Sequence, residues 1–225
     1  MLLRRVTIAA CAAFACATVP ATASARIVEV GQSATQAVPT CPSSPCLAVS
    51  RTTGYQTKVV DLRGTYVVPA DGRIVAFTIR LGNPNKRQIK FFEGSFGKAS
   101  AGLSVVRRRE RWFRRVVAAS PVYQLSSYFG QTVQFPLERS LSVKKDDIIA
   151  LTVPTWAPAL TTLLEDGSTW RASRALEGCD DTDTQTAQTY VGALTQYRCL
   201  YRARLTYTAT LITTPTPNKV PPKKK

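Results

Sequence analysis

Tyr197-Arg198-Cys199-Leu200-Tyr201-Arg202-Ala203-Arg204-Leu205-Thr206-Tyr207-Thr208-Ala209-Thr210-Leu211 is the stretch that decides the fold class. Its odd positions, Tyr197, Cys199, Tyr201, Ala203, Leu205, Tyr207, Ala209 and Leu211, are apolar or aromatic. Arginine and threonine fill most of the even ones. Strand side chains alternate across a sheet, whereas a helical face recurs every 3.6 residues, so this pattern predicts one long strand with a single buried face.

Outward from that stretch the same period recurs in shorter pieces. Val75, Phe77, Ile79 and Leu81 share one side of a strand expected over Arg73 to Leu81, launched by the Pro69-Ala70-Asp71-Gly72 turn. Further strands are expected at Thr57 to Val60, Thr65 to Val68, Gln88 to Phe92, Gly102 to Arg107, Val116 to Ala119, Val122 to Ser126, Thr132 to Phe135 and Asp147 to Val153. Lys144, Lys145, Asp146 and Asp147 make a charged turn ahead of the apolar run from Ile148. Pro154 to Gln196 is poorly patterned and reads as long loops with a short strand near Thr169 to Ser173. No segment keeps helical period over three turns. Many short strands without alternating helices predict an all-β protein, a single antiparallel β-sandwich of jelly-roll type with long loops.

The amino terminus carries a different signal. Arg4 and Arg5 precede an apolar run from Val6 to Val19, and Ala23-Ser24-Ala25 supplies small residues for cleavage before Arg26. This order reads as a signal peptide over residues 1–25, and places the remainder outside the cytoplasm. A membrane anchor would need about 20 apolar residues, and Pro20 ends the run first. A lipidated Cys11 would leave only Val6 to Ala10 as signal core, below the usual 7 to 15 residues. The sandwich is expected over residues 26–212. A Pro- and Lys-rich tail, residues 213–225, is expected to be disordered.

Removal of the leader takes Cys11 and Cys16 with it and leaves four cysteines, an even count that argues for disulfides in an exported chain. Pairing near neighbours gives Cys41–Cys46 and Cys179–Cys199, worth roughly 2 and 3 kcal/mol in the loop-entropy picture. Zinc is the competing use, but the Cys179 and Cys199 spacing lacks a short ligand pair.

Loss of the two leader arginines takes the formal net charge from +16 to +14. Such a field favours acidic partners, whether nucleic acid, anionic lipid or the phosphate- and carboxylate-rich polymers of a bacterial envelope. Export favours the last, and no folded nucleic-acid-binding motif is present. The chain has no histidine, which removes Ser-His-Asp and Cys-His nucleophiles and the usual imidazole metal sites. Carboxylate chemistry survives, with Glu93, Glu110, Glu138, Glu165, Asp166 and Glu177 as candidates, none placed beside another on a recognisable strand.

Binding residues are easier to nominate. Arg107-Arg108-Arg109-Glu110-Arg111-Trp112-Phe113-Arg114-Arg115 combines phosphate-binding guanidinium forks with two rings, and reads as a polyanion site or as a basic hairpin whose rings cover the core edge. Trp156 and Trp170 are expected on loops or rims, where they would stack on sugar rings beside Arg171 and Arg174, or else cap the core. Asp180, Asp181 and Asp183 supply hard oxygen ligands, which makes calcium the one cofactor the sequence offers.

Val143 to Leu151, Thr155-Trp156-Ala157-Pro158, Trp170-Arg171-Ala172-Ser173-Arg174 and Cys179-Asp180-Asp181, with the leader, resemble uncharacterised secreted β-sandwich proteins of high-GC Gram-positive bacteria. The resemblance implies the compartment and the fold, and it brings no activity and no functional residue. The expected function is non-catalytic binding of anionic or carbohydrate envelope polymers. A carboxylate-dependent glycan-active enzyme and a structural or protein-interaction domain are the alternatives.

Overall fold

Period two along the chain produces, in order, β1 (Ile27–Val30), β2 (Val49–Val59), β3 (Leu62–Arg63), β4 (Gly72–Arg80), a helix α1 (Lys86–Phe96), β5 (Ser100–Arg108), β6 (Phe113–Ala119), β7 (Tyr123–Gln124), β8 (Thr132–Val143) and β9 (Ile148–Ala157). Then follow β10 (Leu160–Thr161), β11 (Thr169–Ala172), β12 (Leu194–Gln196), β13 (Cys199–Tyr201), β14 (Arg204–Leu205) and β15 (Tyr207–Thr213). This is a computed structural model, and it describes residues 24–35, 37–162, 167–181 and 185–215. The expected leader up to residue 23, the tail from residue 216, Glu165, Asp166 and Asp183 lie outside that set.

Two antiparallel sheets form an all-β sandwich. One has four strands in the order β1-β15-β4-β8; the other curls, running β12-β6-β5-β9-β2-β11-β13 with β3 and β7 attached to β2 and β5, and β10 and β14 form a separate two-stranded pair. The main core includes Phe77, Ile79, Leu103, Ile149, Leu151, Trp156, Leu205 and Tyr207. A second, smaller cluster takes in Tyr55, Val106, Val116, Ile148, Ala150, Ala193 and Tyr197. Ile149 and Leu151 belong to the first and Ile148 and Ala150 to the second, so β9 is buried on both faces. This is why Ile148, Ile149, Ala150 and Leu151 run apolar without alternating.

The stretch from Tyr197 to Leu211 keeps its odd face inside but not its continuity, and Arg204 and Thr206 are buried as well. Its odd residues are buried, apart from half-buried Tyr201, yet the chain divides into β13, β14 and β15, which pair with β11, β10 and the β1–β4 gap respectively. Buried Gln56 holds the break: its Nε2 donates to the Ala203 carbonyl at 2.9 Å and its Oε1 accepts from the Leu205 amide at 2.9 Å. Along β4 a register shift between Ile74 and Ala76 turns Ile74 inward, fully buried, and leaves Val75 only half-buried.

The expected strand at Gln88 to Phe92 instead lies within α1. Asn85 caps it through the Gln88 amide, Gln88 returns the bond to the Asn85 amide at 2.8 Å, and this reciprocal pair satisfies two orphan donors. Thr65 to Val68 is a turn with a single bridge, Val67 to Ile148, rather than a strand. The disulfides Cys41–Cys46 and Cys179–Cys199 are both formed. Gln88 Nε2 donates to the Pro42 carbonyl at 3.0 Å, which ties the helix to the first disulfide loop.

Gly31 ends β1 with φ 93°, and a Cβ there would sit 2.5 Å from the Tyr66 ring. That ring cannot retreat, being fully buried with its hydroxyl bonded to the Tyr207 carbonyl at 2.6 Å. Only glycine fits.

Candidate functional site

The basic run divides on the β5–β6 hairpin between structural and exposed arginines. Arg107, at the end of β5, makes a bidentate pair with Asp147 at 2.7 and 2.8 Å, and Asp147 is 1% exposed. The carboxylate also accepts from the Lys144 amide at 2.8 Å, and it holds the Arg107 guanidinium further above its ordinary range. Arg114 is buried, donating to the Arg111 and Phe113 carbonyls at 3.1 and 2.8 Å, and half-buried Arg115 donates to the Gly192 carbonyl at 3.2 Å. Arg114 clamps the hairpin turn, while Arg107 and Arg115 tie the hairpin to Asp147 and Gly192, so these three serve the fold. Arg108, Arg109, Arg111 and Trp112 are exposed around the turn.

Arg107→Gln is therefore a stability variant. It leaves a buried Asp147 carboxylate without its cation, at a cost of roughly 2 to 3 kcal/mol in urea unfolding, below the range for a fully buried pair because solvent already reaches the guanidinium. Polymer binding per folded molecule should stay unchanged. A variant as stable as the parent would remove this assignment.

Neither tryptophan nominated for sugar is available. β9 continues past the expected end at Val153 as far as Ala157, which carries Trp156 into the core, fully buried and stacked on Phe92 at 4.7 Å. Trp170 points inward from β11, 5% exposed and packed against Tyr201 at 4.9 Å. Gly54 lets the strands close over it, since a Cβ there would stand 2.6 Å from the Trp170 ring. Both take the core-capping alternative. Arg174 is likewise committed, donating to the Tyr201 hydroxyl at 2.6 Å and the Ser50 carbonyl at 3.3 Å, with burial lowering its pKa.

Arg171 behaves differently because alternation along β11 turns it away from the core side chains of Trp170 and Ala172. Its guanidinium lies 4.4 Å over the Trp112 ring, and its Nη1 donates to the Tyr197 and Arg198 carbonyls at 3.1 and 2.9 Å. Burial, and secondarily the nearby positive charge of Arg114, lower its pKa. The two basic segments nominated from sequence, with Trp112 and Arg171 59 positions apart in the chain, thus meet at this stack.

From Arg171 the surface continues into a hollow of about 650 Å³, lined by Thr57, Lys58, Arg63, Thr169, Leu200 and Arg202 with Arg171 itself. Among the described residues no carboxylate lines it, and Lys58 alone has an acidic neighbour, Asp61 at 3.3 Å. Comparisons with known proteins add nothing to this geometry. No family model, curated protein or solved structure matches the chain.

Lys58, Arg63 and Arg202 are the site residues that sequence reasoning missed. Arg202 occupied an even, outward position of the deciding stretch, which was a usable signal; Lys58 and Arg63 join it only through the β2–β3 and β2–β11 pairings. The remaining nominations stay apart. Asp180 and Asp181 follow the second disulfide, and among the described residues no three His, Cys, Asp or Glu side chains gather around a point. Glu93, Glu110, Glu138 and Glu177 lie on α1, the hairpin turn, the edge strand β8 and a short 3₁₀ turn, and none lines the hollow. No described helix is long and apolar enough to cross a membrane.

Proposed function

We propose that the protein is an exported, non-catalytic β-sandwich that binds an anionic cell-envelope polymer, rich in phosphate or carboxylate, along this strip. The observation that carries the reading is the Arg171–Trp112 stack, because it joins the exposed arginines of the hairpin turn to the cation-lined hollow in one continuous surface. Guanidinium forks grip phosphate and carboxylate oxygens in pairs, and a polymer engages several at once. Two disulfides and the amino-terminal pattern support an extracellular setting. Burial of Trp156 and Trp170 removes the platforms on which neutral-sugar binding depended.

The test is binding of the purified chain to isolated anionic wall polymer and to a neutral polysaccharide across a salt series. Affinity for the anionic polymer should fall linearly on logarithmic axes. Arg109→Ala, Arg111→Ala and Arg202→Ala should each lower that slope, by about 0.7 to 0.9 for a polyelectrolyte as dense as nucleic acid. Salt-resistant binding to the neutral polysaccharide, or binding to neither, would overturn the proposal.

A further inference from the structure

A second basic cavity, of about 240 Å³, lies under Gly31, Gln32, Ser33, Thr35 and Ala37 and against β4, β14 and β15. The break between β14 and β15 sets Arg204 into its wall, and Arg80 enters from the end of β4. Arg204 is only 7% exposed. Its Nη1 donates to the Thr35 carbonyl at 2.8 Å and to the Thr35 hydroxyl at 3.2 Å, which fixes the fork and leaves no carboxylate paired with it. The ion pairs among the described residues are Lys58–Asp61, Arg107–Asp147 and Lys144–Asp71, none of which touches this cavity. Glu29 accepts from the hydroxyls of Thr208 and Thr210 and does not line it.

Buried cations are ordinarily neutralised by a partner, because desolvating an unpaired charge is costly. Arg204 breaks that rule beside an accessible space. Arg80, which donates to the Ala37 carbonyl at 3.3 Å, lines the same space, and among the described residues hydroxyl-bearing Ser33, Thr78 and Thr208 complete a polar lining without an acid. The space is smaller than the usual drug-sized pocket, which excludes a polymer and admits a compact group.

We infer that this cavity is a binding site for a small oxyanion, a carboxylate or a phosphate, held by the Arg204 guanidinium. The site is independent of the polymer strip and stands or falls separately from it. A ligand that binds only the folded chain raises its melting temperature with concentration, so thermal unfolding reads occupancy directly.

The experiment compares unfolding of the full chain in inorganic phosphate, in acetate and in chloride at matched ionic strength. The expected result is a rise of a few degrees over chloride. A response to phosphate alone, to acetate alone or to both supports the site and tells which source of oxyanion it takes. Arg204→Gln should abolish the rise, and Arg202→Gln, which changes the other hollow, should keep it. Should Arg204→Gln fail to fold, Thr78→Glu serves in its place: a carboxylate built into the lining should raise the melting temperature in chloride and cancel the response to added anion. No rise above chloride in the parent, a rise that survives Arg204→Gln or Thr78→Glu, or one lost in Arg202→Gln would overturn the inference.

Discussion

Replacing Trp156 with alanine should lower unfolding stability by about 3 to 5 kcal/mol, the range for deleting a large aromatic from a packed core. The indole is fully buried, stacked on Phe92 at 4.7 Å and tilted on Phe129 at 5.5 Å, and its N–H donates to the Gly97 carbonyl at 2.9 Å. Phe92 is the one buried residue of α1, so Trp156 is the chief anchor of the helix on the sandwich. Amide exchange over Lys86–Phe96 should accelerate more than exchange in β5 or β9. Trp156→Phe keeps the stacking face and loses the N–H bond, for a cost nearer 1 kcal/mol. Urea unfolding of the two variants measures both effects, and an alanine variant losing less than about 1 kcal/mol would contradict the assigned packing.

The second large effect is alkaline unfolding. Burial pushes the phenols of Tyr66, Tyr197 and Tyr207 well above the usual tyrosine range. A folded-state pKa raised above the unfolded value means that the unfolded chain releases these protons first. The associated stability is complete below pH of about 10 and drains away as pH rises beyond it. Each tyrosine contributes about 1.4 kcal/mol per pH unit, so the three together remove about 4 kcal/mol per unit. Phenolate absorbance and far-ultraviolet circular dichroism, followed together, should show these three ionising only as the strands are lost, in one cooperative step. Ionisation of all eight tyrosines with the dichroism unchanged would refute the arrangement.

Where side chains alternate against a single core, the sequence was readable. Phe77, Ile79 and Leu81 at β4, and the odd residues from Cys199 to Leu211 apart from half-buried Tyr201, mark the interior correctly, and both disulfides join near neighbours as their spacing suggested. The start of β2 was invisible because Thr52, Thr53 and Gln56 are buried there, made acceptable by bonds such as Thr53 to Thr152 at 3.1 Å that only the folded pairing supplies. α1 was hidden because its apolar stripe is short, Ile89, Phe92 and Phe96 with Phe92 alone fully buried, and its surest mark was the Asn85 and Gln88 capping pair.

The candidate site divides along the same line. Charge density identified the arginine run, but density cannot tell an arginine that serves the fold from one that faces solvent. Arg107 finds Asp147 40 residues away, and Arg114 clamps its own turn. Arg171 is recognisable as a binding residue only beside Trp112, and the hollow it enters is assembled from β2, β3, β11 and β13, whose union no local pattern announces.

β15 lies between β1 and β4, and β1 comes from the opposite end of the domain, with Ile27 facing Ile212. Until residue 213 has been made, the four-stranded sheet has a gap at its middle rather than a missing edge. Pairings this remote in sequence close late. A chain that stops short of β15 therefore lacks the strand that ties β1 to β4.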